Sequence, residues 1–561
     1  MDVKRVISFA ALALISYVLV LQWNEDYGSK PAAPASQTSV SAYSNPAGDE
    51  LPSADVTTTT QNAELPATGA ETVTGAAAVK SRLINIKTDV LDVLVDTTGG
   101  DIIQVALPKY KATIDADDPF VLLEQTANRT YVAQSGLVGP NGPDAASTGR
   151  PVYSVEASEF DLADADSLNV DLSFTDASGV KVTKRYTFTK GSYQIGLEYL
   201  IDNQSQQSWS ANLFGQIKRD RSEDPAATTD MGMQSYLGPI FSTAENNYQK
   251  YDFDDIDDGA FKQRSADGWV AMVQHYFISA WIPAPGAEYT YSTRKQNGNY
   301  IAGFVSPAVT VAAGQQQSVK ATFFAGPKDQ EQLSAAHEDL QLTVDYGWLW
   351  WIASPLHMLL TWIHSVLGNW GLSIIAITIM VKAALFQLNA KAFKSMANMR
   401  KFGPEMQRLK ELYGDDRQKM SQEMMALYKK EKINPLGGCL PMVAQMPIFI
   451  ALYWVLMESV ELRQADFLYL ADLSVKDPYF ILPILMGVSM FIQQSLNPSP
   501  PDPMQAKIMK MLPIVFTFFF LWFPAGLTLY WVVNNILSIA QQYVINRQIE
   551  GSGKKEAKAT S

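Results

Sequence analysis

The spacing of apolar and polar positions divides this chain into two kinds of sequence. From about residue 81 the period is two. Leu91, Val93 and Val95 alternate with polar neighbours, a Thr-Thr-Gly-Gly-Asp turn follows at 97–101, and Ile103, Val105 and Leu107 continue. The alternation returns at Val170/Leu172/Phe174, Val180/Val182, Tyr186/Phe188, Ile195/Leu197/Tyr199 and Val319/Ala321/Phe323. Successive side chains of a strand point to opposite faces, so this pattern predicts many short strands with one face buried. With Gly, Asn and Asp turns between them, they predict a large antiparallel β-sandwich. A helical run around Gln330–Leu342 is expected to close it.

Elsewhere the apolar positions merge into long runs: Val6–Trp23, Trp370–Leu388, Gly438–Met457, Tyr479–Leu496, Met511–Phe523 and Gly526–Asn546. These predict six membrane-spanning helices. Gly347–Leu367 is different, because it concentrates Trp348, Trp350, Trp351 and Trp362 together with Pro355, His357 and His364. Aromatic clustering of that kind suits an amphipathic helix lying at the headgroup level. Between the second and third runs, Met396, Met399, Phe402, Met406, Leu409 and Tyr413 recur at steps of three and four. Past a Gly414-Asp415-Asp416 turn, Met420, Met424 and Leu427 continue the pattern. The expectation is a two-helix hairpin with an apolar seam, in which Pro404 starts or kinks a segment.

Charge orients these elements. Residues 1–345 carry 24 Lys/Arg against 43 Asp/Glu, whereas 346–561 carry 20 against 14. The acidic half argues against nucleic-acid binding by that part. The loop 390–437 holds eleven basic and six acidic residues, the loop 458–478 two and five, and Lys4, Arg5, Lys554, Lys555 and Lys558 lie near the ends. The positive-inside rule then places both termini and the hairpin in the cytoplasm and the β domain outside. Counting Gly347–Leu367 as a seventh span would put the basic loop outside.

The expected organisation is a signal-anchor span (1–23), a disordered linker (24–80), the β-sandwich domain (81–343), an interfacial amphipathic helix (344–368) and a second span (369–389). A cytoplasmic two-helix hairpin (390–437), the core of spans three to six (438–548) and a cytoplasmic tail (549–561) complete it. Residues 31–79 contain no Lys or Arg and are rich in Ala, Thr, Ser and Pro, too polar to offset ordering entropy. A single cysteine, Cys439, excludes an internal disulfide framework, and His275, His337, His357 and His364 show no ligand spacing, so no metal is expected.

The only charge within these apolar runs is Lys382. A charge at mid-bilayer costs about 2.5–3.5 kcal/mol on insertion-derived scales and marks a functional site by default, although a lysine near a span end can also snorkel. Given the orientation, Lys382, Gln387, Gln445, Gln493, Gln494 and, from the middle of the last span onward, Asn534, Asn535, Ser538 and Gln541 all fall on the cytoplasmic side. Thr378 and Lys382 are spaced i, i+4, as are Ser489 and Gln493, while Tyr530, Asn534, Ser538 and Gln541 form one stripe. Interfacial placement accounts for Gln387, Gln494 and Gln541, but less well for Lys382 and Asn534. Stripes at one depth on several spans must face each other or water, which predicts a hydrated cavity open to the cytoplasm and closed outward.

Several motifs give this reading a family. Asp345-Tyr346-Gly347-Trp348-Leu349-Trp350, Asn434-Pro435-Leu436-Gly437-Gly438-Cys439, Gln445-Met446-Pro447-Ile448-Phe449, Asp502-Pro503-Met504-Gln505 and Phe520–Leu527 (FLWFPAGL) resemble the YidC group of membrane protein insertases, of the Gram-negative type. The resemblance covers the whole chain and is strongest over 340–548. It implies an inner-membrane, non-enzymatic insertase and chaperone without cofactors, whose periplasmic domain is a β-supersandwich akin to sugar-mutarotase folds. It implies a substrate groove with one basic residue. Lys382 matches that position, usually arginine in bacterial relatives, and keeps the charge without the forked donors. Trp531 stands where tyrosine is common. The implied groove comprises Lys382, Thr378, Gln445, Gln493, Tyr530, Trp531, Asn534 and Ser538. The implied capture hairpin carries Met396, Met399, Met420 and Met424, a residue type whose flexible side chain adapts to varied apolar partners. Implied partners are nascent membrane proteins, the Sec translocon (SecYEG and SecDF), the ribosome and signal recognition pathway, and the lipid bilayer.

Two other classes compete. An intramembrane hydrolase would use Lys382 with Ser373 or Thr378, but Ser373 is nine residues away and no HExxH motif or intramembrane Asp pair exists. A transporter or channel would want acidic relays or broken helices at the midplane, and none of the six runs contains Asp or Glu.

Overall fold

The computed structural model describes residues 82–147, 149–227, 235–413, 416–430, 440–497 and 503–559. The expected signal anchor, the linker, the Asn434–Cys439 motif, Asp502 and the side chain of Met399 lie outside the described residues. The described residues form two compact units, one up to Val344 and one from Asp345 onward.

The first unit is a sandwich of a ten-stranded and an eight-stranded sheet. Its pairings are antiparallel except where Leu83–Lys87 meets Glu159–Asp161. The period-two segments all lie in strands. Leu91, just before Asp92–Asp96, leads into the first, and Asp101–Lys111, Ser167–Thr175, Val180–Thr189, Gln194–Asn203 and Gln315–Pro327 hold the rest. In Gln194–Asn203 every second residue is buried, as the alternation requires. Gly268–Val273 and Phe277–Pro283 are buried along their whole length, so they show no alternation for a sequence reading to find. Between the sheets lie Tyr131, Tyr186, Tyr199, Trp281 and Tyr291, all fully buried.

A buried ionic group fixes the expected turn at 97–101. Lys184 Nζ donates to the carbonyls of Gly99, Gly100 and Ser135 at 3.0, 2.7 and 3.2 Å. Arg150 pairs with Asp144 at 2.7 Å and with Asp101. The turn needs glycine at 99: its φ is +74°, and a Cβ there would fall 2.2 Å from the Arg150 guanidinium carbon. Burial pulls the Lys184 ammonium down to about 7, with Asp101 pulling it back up. Burial also raises the Asp144 carboxyl, with Arg150 opposing.

Two short helices complete this unit, α1 (Phe253–Asp258), opened by an Asp252/Asp255 capping box, and α2 (Gln330–Ala336). The run expected as one helix to Leu342 is broken. His337 is extended (φ −159°, ψ 138°), and its ring nitrogen accepts the Asp339 N–H and starts a 3-10 segment over Glu338–Thr343.

The second unit is helical: α3 (Trp350–Leu367), α4 (Trp370–Ala384), α5 (Phe386–Lys401), α6 (Gly403–Tyr413), α7 (Arg417–Lys430), α8 (Leu440–Glu458), α9 (Ile481–Ser495), α10 (Pro503–Phe520) and α11 (Ala525–Ala559). Helix α3 is two-faced, with Ala353, His357, Leu360 and Ile363 buried and Trp350, Trp351, Met358 and Trp362 exposed. Among the described residues no single helix is long and apolar enough to cross a membrane; α4 with Phe386–Ala397 is, but bent by 67°. The second apolar run, expected to continue to Leu388, therefore stops at Ala384, and the arm that follows begins at Phe386. The expected first arm of the hairpin divides again at Phe402, with Pro404 in the opening turn of α6, where its missing N–H costs nothing. The fifth run, expected to reach Phe523, forms the later part of the longer α10 only as far as Phe520 and then turns, and the sixth continues past Asn546 to Ala559.

Candidate functional site

Polar residues of three apolar helices meet at Lys382. Its ammonium donates to Ser538 Oγ at 2.7 Å and to Gln445 Oε1 at 3.4 Å, joining α4 to α11 and α8. Ser538 Oγ donates on to the Asn534 carbonyl at 2.7 Å, and Gln445 Nε2 donates to Asn534 Oδ1 at 2.5 Å. Thr378, one turn before Lys382, is buried and returns its hydroxyl to the Ile374 carbonyl at 2.6 Å. On the other side of α11, Asn535 donates to Ser489 Oγ of α9 at 3.0 Å. Lys382 is only 9% exposed, and among the described residues no carboxylate pairs with it. A cation surrounded only by neutral acceptors retains most of its attraction for an incoming anion.

The bend at Leu385 explains part of how the charge is tolerated. It ends α4 just after Lys382, so the ammonium sits in the last turn of a helix, where carbonyls point outward and the dipole favours a cation by about 0.3–1 kcal/mol. Leu385 N–H bonds back to the Ala383 and Val381 carbonyls, and Gln541 of α11 takes the Phe386 carbonyl at 3.1 Å.

Of the residues singled out from the sequence, Lys382, Gln445, Asn534 and Ser538 form one hydrogen-bonded group, with Thr378 beside it. Tyr530 is buried, its ring 6.1 Å from Phe449. Trp531 turns toward α8 and α10 and packs edge-on against Phe449 at 4.5 Å and near Phe516 at 6.3 Å. Gln493 is half-buried and makes no hydrogen bond into the group. The stripe on α11 ends at Gln541, as expected, and Gln542 joins Asn535 on the face toward α9. Gln542, at 1% exposure, bonds Asn497 Oδ1 at 3.0 Å and the Leu496 carbonyl at 3.3 Å, while Gln541 faces the bend. Asn389, 2% exposed on α5, was also not anticipated. In the hairpin Met424 is buried, Met396 and Met420 are half-buried, and Met406 sulfur accepts the Tyr428 hydroxyl at 3.5 Å.

At the other end of the bundle the segment 459–480 covers the helix ends. Leu473 and Val475 carbonyls accept the first N–H groups of α11, from Gly526 and Ala525, at 2.9 and 2.7 Å. Leu462, Leu470 and Leu473 of this segment are buried. The Lys382 group thus lies at one end, and the 459–480 segment, with Asp472, Ser474 and Asp477 buried in it, covers the other.

Helices with exposed aliphatic faces outside and a single neutral-ligated lysine inside, joined in one chain to a β-sandwich, define a helical membrane protein with a large non-membrane domain. Comparison with known proteins gives the family. Residues 83–359 match the YidC periplasmic domain and residues 362–554 the family described as 60Kd inner membrane protein. The chain is 54% identical over 564 residues to the membrane protein insertase YidC of Pseudomonas putida (strain W619), covering 99% of this chain and 100% of that one. It is 55% identical over 562 residues to its counterpart in Stutzerimonas stutzeri (strain A1501), with the same coverage. A crystal structure of an active YidC insertase with its first transmembrane domain resolved is similar at 18% identity and TM-score 0.37, over 82% of this chain and 92% of that chain. The chain belongs to the YidC family of membrane protein insertases. It is an inner-membrane insertase, not an enzyme, and its β-sandwich is the periplasmic domain.

Proposed function

We propose that the group around Lys382 is the floor of a hydrated groove, open to the cytoplasm and closed toward the periplasm, through which substrate segments enter the bilayer. The observation that carries this reading is the Lys382 ammonium, held inside apolar helices by Ser538 and Gln445 with no carboxylate beside it among the described residues. The proposed topology has six spans with both termini cytoplasmic, α3 in the periplasmic headgroup zone, and the hairpin α5–α7 in the cytoplasm.

In this mechanism the methionine-lined hairpin first captures an apolar nascent segment, which its adaptable side chains accept in varied shapes. The groove then shortens the hydrocarbon that polar flanks must cross, and Lys382 attracts their acidic residues. Burial of the new helix against apolar surface supplies the driving free energy, about 25 cal/mol per Å². The absence of any acidic residue in the six apolar runs disfavours a proton-relay transporter. Partners consistent with this role are nascent membrane proteins, the Sec translocon and the ribosome.

Site-specific photocrosslinking of a stalled nascent membrane protein tests the reading. Crosslinkers at Thr378, Gln445 and Tyr530 should capture it, while one at Val488, exposed on α9, should capture mainly lipid. Equal capture at all four positions would remove the groove.

A further inference from the structure

The segment joining α8 to α9 carries an apolar apex that the groove does not use. Phe467 N–H bonds the Leu470 carbonyl at 2.8 Å and Leu470 N–H bonds the Phe467 carbonyl at 2.9 Å, closing a two-residue turn over Leu468 and Tyr469. Leu468 takes φ +56°, a left-handed conformation in which glycine or asparagine would be unstrained and a Cβ-bearing apolar residue is not. It is also 84% exposed, the most exposed large hydrophobic residue among those described. Strain and full exposure of an aliphatic side chain at one position point to a function outside the fold's own packing.

The apex is held rigidly. Tyr469 donates its hydroxyl to Asp477 Oδ2 at 2.7 Å, and the same carboxylate accepts the N–H groups of Tyr479 and Leu482 at 3.0 and 2.7 Å, capping α9. Phe467 is buried against the first turn of α4 at Gly371. Asn369, which caps α4, donates to the Asp466 carbonyl at 3.3 Å. Leu468 therefore keeps a fixed position relative to the ends of α4 and α9. Tyr479 is also half-exposed, its ring 6.1 Å from that of Tyr469.

The chain running on from this apex shows what receives it. Ile481, Ile484, Leu485, Val488, Phe491 and Ile492 of α9 are all exposed, an aliphatic face whose only suitable solvent is lipid. An aliphatic tip flanked by two tyrosines, at the end of such helices, has the composition of a membrane interface anchor. We propose that the Leu468–Tyr469 turn, with Tyr479, is a lipid-contacting anchor. Leu468 inserts at the glycerol and upper acyl level of the leaflet in which α8 ends and α9 begins, and the tyrosine rings lie among the headgroups. This rests on the membrane placement of the helical unit; in the topology proposed above the leaflet is the periplasmic one. The anchor fixes the depth of the closed end of the bundle, opposite the Lys382 group.

Depth-resolved quenching tests it. The full-length protein with Cys439→Ser and one of Leu468→Cys, Tyr479→Cys or Val488→Cys is labelled with a nitrobenzoxadiazole dye and reconstituted into phosphatidylcholine–phosphatidylglycerol vesicles. Dye at 468 and 479 should lose most of its emission to headgroup and shallow-chain nitroxide lipids and little to aqueous iodide. Loss to iodide alone, or to neither quencher because protein covers the turn, overturns the anchor when Val488 is still quenched by acyl-chain nitroxides. Absence of lipid quenching at Val488 as well overturns the membrane placement on which the anchor rests.

Discussion

Lys184 and Lys382 are both buried ammonium groups, and their surroundings differ in kind. Lys184 sits among three carbonyls with Asp101 and Asp144 nearby, inside a protein core. With a folded-state value of about 7 against an ordinary 10.5, it leaves the unfolded chain holding a proton that the folded chain lacks between those two values. The stability of the β domain from this group should therefore rise with pH from about 7 to 10.5 and be flat below 7. Urea denaturation followed by tryptophan emission should show a steeper rise over that window in the native protein than in Lys184→Met. Equal slopes would mean that the lysine stays charged throughout. The inward position of Lys184 was legible, since it shares parity with Val180, Val182, Tyr186 and Phe188, all buried. Its partners were not, because the Gly99–Gly100 turn and Ser135 are brought to it by other parts of the fold. Likewise the polar stripe on α11 stood out against apolar neighbours. It ends at Gln541 as read, whereas the burial of Gln542, about 100° further round the helix with Asn535, is set by packing against α9.

At the scale of elements, strands with one wet face were readable and fully buried ones were not, because alternation vanishes when both faces are covered. Helices were readable from their apolar runs, but the break at Leu385 has no proline or glycine to announce it. It is a tertiary feature, at which the Gln541 amide donates to the Phe386 carbonyl just past the bend. Close approach between helices is equally silent in the sequence. A Cβ on Gly487 of α9 would lie 2.0 Å from Thr517 Oγ1 of α10, and that hydroxyl is already bonded to the Pro513 carbonyl at 2.7 Å. Small residues let helices approach in this way where lipid supplies no hydrophobic drive. Gly487→Val should destabilise the bundle by about 1–3 kcal/mol, the usual cost of overpacking. Thermal unfolding in detergent would read this as a lowered midpoint, and an unchanged midpoint would show that α9 and α10 part freely.

For the whole molecule, the acidic amino-terminal part and the basic remainder suit the two sides of a membrane, and the family places the β-sandwich in the periplasm. Family membership was legible in the motifs, whereas the joining of Lys382, Gln445 and Ser538 required the packing of three helices. One-sided access follows from the proposed groove. With Cys439 replaced, a cysteine at Asn534 should react with a membrane-impermeant maleimide from the cytoplasmic face only. A cysteine at Leu527, 1% exposed near the covered end, should react from neither. Reaction at Asn534 from the periplasm would describe a channel instead.

The central claim is that the Lys382 charge draws acidic substrate segments into the groove, and substitution at that residue measures it most directly. In cells depleted of their own insertase, Lys382→Arg should retain insertion of single-span substrates with acidic translocated tails. Lys382→Ala should slow it, and Lys382→Glu should impair it most, with protein levels matched by immunoblot. Insertion unchanged in Lys382→Glu across several such substrates would contradict the account.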